Sequence, residues 1–132
     1  MRYVPPFENI KQLLRFGTVR GETVVTLTYE EMQTLLRTLL TAFEVDEAFY
    51  LSQNPDVAQG VKDGTIQSAR GHFIDHGYFE GRQASHVDID EAWYLEQNPD
   101  IAEVVRRGEY ESAQAHFDGS GYREGRLPFP LR

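Results

Sequence analysis

The sequence predicts a mainly α-helical protein. Two tandem 44-residue helical repeats pack together behind a small α+β segment that carries a short strand or hairpin. Three observations predict it. Sliding the chain by 44 residues brings it onto itself: residues 45–82 and 89–126 share 21 of 38 ungapped positions, where unrelated segments would share about two. Inside each copy the apolar residues recur at helical spacing and are broken by Asn-Pro-Asp and Gly at matched places. A β-branched run, Thr23-Val24-Val25-Thr26-Leu27, occurs only in the first 44 residues. The expected organisation is therefore an N-terminal segment at 1–44, a first repeat at 45–88 and a second at 89–132.

In the N-terminal segment, Phe7, Ile10, Leu13 and Leu14 give an amphipathic helix after Pro5-Pro6, ending near Gly17. The run at 23–27 reads as a strand, with Thr18-Val19-Arg20 before Gly21 as its hairpin partner, so that strands are confined to about residues 17–28. Thr28 and Glu31 form a capping-box pattern that opens a helix with Met32, Leu35, Leu36, Leu39, Leu40 and Phe43 on one face.

Each repeat reads as short helices. Asp46 and Asp90 are N-caps for Ala48-Phe49-Tyr50-Leu51 and Ala92-Trp93-Tyr94-Leu95. These helices stop before Pro55 and Pro99, because the residue preceding proline resists the helical region. Asn54 and Asn98 are read as caps of a second helix with proline at N1. Val57, Ala58 and Val61 share a face, as do Ile101, Ala102 and Val105, and Gly64 and Gly108 stand where a left-handed C′ residue is wanted. A third helix holds Ala69, His72 and Phe73, matched by Ala113, His116 and Phe117. It starts at Ser68 and Ser112 or earlier, near Thr65 and Glu109, and Gly77 and Gly121 are expected to end it. A final turn closes each copy at 78–82 and 122–126. Three short helices cannot hide their apolar faces alone, whereas two stacked copies can.

Composition bounds the function. The 132 residues hold 21 acidic and 13 basic side chains, a net charge of −8, and no cysteine. The acidity divides evenly: residues 1–44 are neutral and each repeat carries −4. Such a surface repels phosphate backbones and anionic lipid, so neither nucleic acid nor membrane is an expected partner. No apolar run is long enough to span a bilayer. The first residues lack the apolar core of a signal peptide, giving a cytoplasmic expectation. Without cysteine there is no thiolate metal site and no cysteine nucleophile.

The repeated residues Tyr50-Leu51, Asn54-Pro55-Asp56-Val57-Ala58, His72-Phe73 and Gly77…Glu80-Gly81-Arg82 return as Tyr94-Leu95, Asn98-Pro99-Asp100-Ile101-Ala102, His116-Phe117 and Gly121…Glu124-Gly125-Arg126. This unit resembles one carried by bacterial proteins of surface-polysaccharide synthesis, notably multidomain glycosyltransferases. It is also similar to tandem units of secreted hemolysin-type and surface-layer-like proteins. The resemblance covers about two-thirds of the chain. It implies an accessory or scaffold role in cell-surface polysaccharide assembly, with no catalytic role in the unit itself.

Candidate chemistry is sparse. His72 and His76, at i and i+4, could hold zinc with a carboxylate, but Ser120 replaces His76 in the second copy, and a structural histidine bonding a neighbouring loop is the simpler reading. Of the acids shared by both copies, Asp46/Asp90 and Asp56/Asp100 are read as helix starts and Glu80/Glu124 as braces of the last turn, with Arg82 and Arg126 or across the repeat interface; Glu47/Glu91 receives no assignment, and none is read as a glycosidase pair. No catalytic residue, metal or cofactor is assigned. The recurring aromatics Trp93, Tyr50, Tyr94, Tyr78 and Tyr122 are either core or a ligand surface. Thr23, Val24, Val25, Thr26 and Leu27 are the candidate contact of a homodimer, since neutral segments associate more readily than acidic ones. The expectation is a non-enzymatic interaction or scaffold protein with a protein partner. A carbohydrate-binding module is the alternative, and a small metal-dependent enzyme at the histidines comes last.

Overall fold

The computed structural model describes residues 2–132 and is mainly α-helical, with a two-stranded antiparallel hairpin. Helix α1 covers Phe7–Lys11, β1 Arg15–Val19, β2 Glu22–Thr26 and α2 Tyr29–Leu40. Arg15 pairs with Thr26 and Val19 with Glu22, across a turn in which Arg20 (φ 51°) and Gly21 (φ 79°) both take positive φ. Two successive positive φ values match the turn to the strand twist, which is why glycine stands there.

This corrects three expectations. Helix α1 ends at Lys11, so Leu13 and Leu14 lie in the turn beyond it. The first strand begins at Arg15, two residues before the expected limit of 17, because five residues must face the five of β2. Leu27, assigned to the strand, lies just past its end. The capping box of α2 forms as read: Thr28 Oγ1 accepts from the Glu31 amide and Glu31 Oε1 from the Thr28 amide, each at 3.1 Å. No residue of α2 is fully buried.

Helices α3 (Glu47–Gln53), α4 (Pro55–Asp63) and α5 (Ala69–His72) form a unit that continues into a π-helical turn, Phe73–Gly77. Helices α6 (Glu91–Gln97), α7 (Pro99–Arg106) and α8 (Ala113–His116) continue likewise into Phe117–Gly121. Each unit has its own core. Tyr50, Val57, Ala69, Phe73 and Ile74 are buried in the first, with Leu40 of α2 packed against them. Tyr94, Ile101, Ala113 and Phe117 are buried in the second.

The helix ends follow from local chemistry. Asp46 and Asp90 cap α3 and α6 by accepting from the amides of Phe49 and Trp93. Ser68 and Ser112 cap α5 and α8, so these helices start there and not at Thr65 or Glu109. Gly64 (φ 84°) ends α4 and Gly108 (φ 79°) follows α7 in the left-handed region, as expected.

One assignment changes. Asn54 and Asn98 do not cap α4 and α7; their Nδ2 groups donate back to the Tyr50 and Tyr94 carbonyls, each at 2.7 Å. Gly77 and Gly121 end the helical run as expected, as the last residues of the π-helical turns, but without positive φ, which falls at Gly81 (φ 80°) and Gly125 (φ 78°). A Cβ at Gly77 would collide with the Tyr50 hydroxyl, and one at Gly121 with that of Tyr94. These glycines are the space into which a buried tyrosine extends.

Each unit is closed end to start. The Asp46 amide donates to the Ala84 carbonyl at 3.0 Å, and the Asp90 amide to that of Pro128 at 2.9 Å.

Candidate functional site

The motif residues assemble into two polar clusters per unit. In the first unit the hydroxyl of the wholly buried Tyr50 lies 2.8 Å from Nδ1 of the half-buried His72. Burial pushes the Tyr50 hydroxyl up to about 12 and holds the His72 imidazole below its ordinary range. The second unit repeats the bond, Tyr94 to His116 Nδ1, at 2.9 Å. The histidine therefore bonds a helix, not the neighbouring loop expected of it.

The second cluster centres on Arg82. Its guanidinium donates to Asn54 Oδ1, to both Asp56 carboxylate oxygens and to Glu80 Oε1 at 2.9–3.0 Å. These hydrogen bonds draw the Asp56 carboxyl down to about 2 and push the Arg82 guanidinium up. Arg126 makes the same set with Asn98, Asp100 and Glu124. Asp56 and Asp100, read as helix-start acids, thus serve chiefly as bidentate partners of arginine. The bracing is within each unit, not across the junction.

Glu47 and Glu91 hold a role that sequence reasoning missed. Their Oε1 atoms accept from the backbone amides of Arg70 and Gln114, at 3.1 and 3.0 Å, tying the first helix of each unit to its third. Their recurrence in both copies was the available signal.

With the shared polar residues occupied in this way, an apolar groove of about 490 Å³ lies open where α2 meets the two units. Leu36, Leu39, Leu40 and Phe43 form one wall, and Phe73, Tyr78 and Tyr122 the other, with Glu44 and Ser85 at its edge. Phe43 is 63% and Tyr78 39% exposed. Burial raises the Tyr122 hydroxyl above its ordinary range. Arg37 anchors the α2 wall: it donates to the Asp75 carbonyl at 3.0 Å and lies 4.9 Å over the Phe79 ring.

The five aromatics singled out by recurrence are therefore divided. Tyr78 and Tyr122 come together in the groove. Tyr50 and Tyr94 are 0% exposed and present no face to a ligand, which corrects their assignment to a surface. Trp93 is partly buried on another face of the second unit, away from the groove. Residues 23–26 lie on an outward hairpin strand, where only Val24 is partly covered.

The imidazoles of His72 and His76 are 5.6 Å apart between ring centres, with His76 exposed. Among the described residues, no three of the histidine, aspartate and glutamate side chains converge as a metal-binding group. Nor is any described helix long and apolar enough to cross a membrane. Comparison with protein-family models, curated proteins and solved structures gives no match.

Proposed function

We propose that the protein is a non-catalytic interaction module built of two stacked copies of one helical repeat, which receives a protein partner in the groove beside α2. The supporting observation is the occupation of the shared polar residues. Tyr, His, Asn, Asp, Glu and Arg of the motif bond one another or the backbone within each unit. The 44-residue offset recurs in the cap, core and arginine contacts of both units. The open surface that remains beside α2 is apolar, which suits association rather than bond chemistry. An accessory role in bacterial cell-surface polysaccharide assembly rests on the resemblance of the repeat, and so does the scaffold reading.

A photo-crosslinking residue at Tyr78, used in the source cells, tests the groove. The expected result is one discrete protein adduct that is absent when the same residue stands at Glu22. Equal labelling at both positions sinks the reading. Deletion of the gene with unchanged surface polysaccharide removes the pathway assignment. A second reading, glycan binding, has one observation in its favour: Tyr78 and Tyr122 share the groove with Ser85 and Glu44 at its edge. A glycan array separates the two.

A further inference from the structure

The junction between the two units is built from one face of each. Phe49, Gln53, Gly81 and Gln83 of the first unit meet Asp118, Tyr122 and Arg123, which belong to the π-turn and the turn after it in the second. The contact is close: a Cβ at Gly81 would lie 3.5 Å from Arg123 Cγ. Residues 74, 78 and 79 are the first-unit counterparts of Asp118, Tyr122 and Arg123. In the first unit α2 lies on this face: Leu40 packs on the cluster that holds Ile74, Arg37 lies over the Phe79 ring, and Tyr78 lines the groove beside α2. Helix α2 thus covers on the first unit the face that the first unit covers on the second.

Among the described residues the series leaves one face without a cover. Advancing Phe49, Gln53, Gly81 and Gln83 by 44 residues gives Trp93, Gln97, Gly125 and Leu127. A Cβ at Gly125 would have nothing within 4 Å, in contrast to Gly81. Leu127 is 45% exposed, and Phe129 beside it 40%. The replacement of Phe49 by Trp93 and of Gln83 by Leu127 makes this face more apolar than the one already paired.

We infer that the Trp93–Leu127 face docks a further helical unit of the same repeat, engaging through its π-turn and following Tyr-Arg. The inference rests on the proposed repeat reading and on continuity with the junction already formed within the chain. A second copy of this chain is not the occupant, because α2 covers one of its π-turn faces and its own first unit covers the other. A heterologous contact of this kind extends an array in one direction, with α2 as its closed end.

Trp93 is the only tryptophan in the chain and reports on this face directly. A unit with the sequence of residues 89–132, its indole position changed to Phe, is joined to Arg132 by a Gly/Ser linker of about 30 residues. The linker raises the local concentration without forcing contact. Docking shifts the Trp93 emission to shorter wavelength and lowers its quenching by acrylamide. Both changes are lost when the equivalents of Tyr122 and Arg123 in the joined unit are changed to Ala, and when Leu127→Glu is introduced in the chain itself. Unchanged emission beside a joined unit that circular dichroism reports as helical overturns the docking face and leaves the repeat reading standing. A joined unit that stays unfolded overturns both. A shift that survives the Tyr122 and Arg123 changes overturns the Tyr-Arg turn as the point of engagement.

Discussion

A Cβ at Gly77 would collide with the Tyr50 hydroxyl, and that hydroxyl, bonded to His72 and carried on a wholly buried tyrosine, cannot move aside cheaply. Gly77→Ala is expected to cost about 1–3 kcal/mol, as overpacking does. Tyr50→Phe removes the obstructing oxygen, so the double variant should cost less than the sum of the two single ones. Urea unfolding of all four proteins measures this, and strict additivity would refute the contact. The same residues set the acid response. Burial depresses the His72 pKa, as does the nearby Arg82 charge, with Glu80 opposing and His76 reinforcing. Its neutral form favours folding, so stability falls as pH drops below the ordinary 6.5 and through the lower folded value. The Asp56 pKa is depressed by Arg82, so that contribution is present above 3.8 and is lost as pH falls toward about 2. Asp100 follows Asp56 through Arg126. Stability measured from pH 7 to pH 2 should decline in two stages, and Asp56→Asn should weaken the second. A flat profile would contradict both assignments.

Two kinds of side chain sit at the start of the unit helices, and they act differently. Ser68 and Ser112 accept from a first-turn amide and are partly buried caps; alanine at either should cost about 1 kcal/mol. Asn54 is buried and links the Tyr50 carbonyl to Arg82, without capping α4. Asn54→Ala should therefore cost more than a cap, about 2–3 kcal/mol, because it leaves buried groups unpaired. Asn54→Ser, a good N-cap residue, should not rescue it. Full rescue by serine in thermal denaturation would restore the capping reading. The units also adjust to their own differences. A Cβ at Gly60 would lie 2.7 Å from Ile66 Cγ1, while the second unit has Val104 and Tyr110 in these places. There the Tyr110 ring packs edge-on to His116 at 4.9 Å and its hydroxyl meets Ser120 Oγ at 3.2 Å.

For the molecule as a whole, association should fall to the neutral end. Of the thirteen large apolar side chains exposed among the described residues, nine belong to residues 1–44. That segment has no net charge, whereas each unit carries −4, so whole copies of the chain meet there with the least charge repulsion. The hairpin is exposed along nearly its whole length, and a lone two-stranded sheet is marginal in water. Antiparallel pairing of Thr23, Val24, Val25 and Thr26 with a second copy about a two-fold axis would extend the sheet and cover its open edge. Light scattering at tens of micromolar is expected to give a dimer for the intact chain. Val25→Lys, at an exposed strand position, should return it to a monomer. A monomeric intact chain, or a dimer indifferent to Val25→Lys, would defeat this prediction.

The sequence by itself determined the helical class, the aspartate caps at 46 and 90, the capping box at Thr28 and Glu31, and the left-handed glycines at 64 and 108. All of these depend on neighbours within a few residues, where spacing and side-chain chemistry suffice. It also marked Asn54, Asp56, His72, Glu80 and Arg82 as a set by repetition, without revealing why. Only the tertiary structure decided that Asn54 turns to Arg82, that Gly77 makes room for Tyr50, and that Tyr50 and Tyr94 are core while Tyr78 and Tyr122 line a groove. Those contacts join residues 22 to 28 positions apart, or the two units to α2. Helical periodicity puts an aromatic on a face, but the neighbour against which that face packs fixes whether the ring is buried.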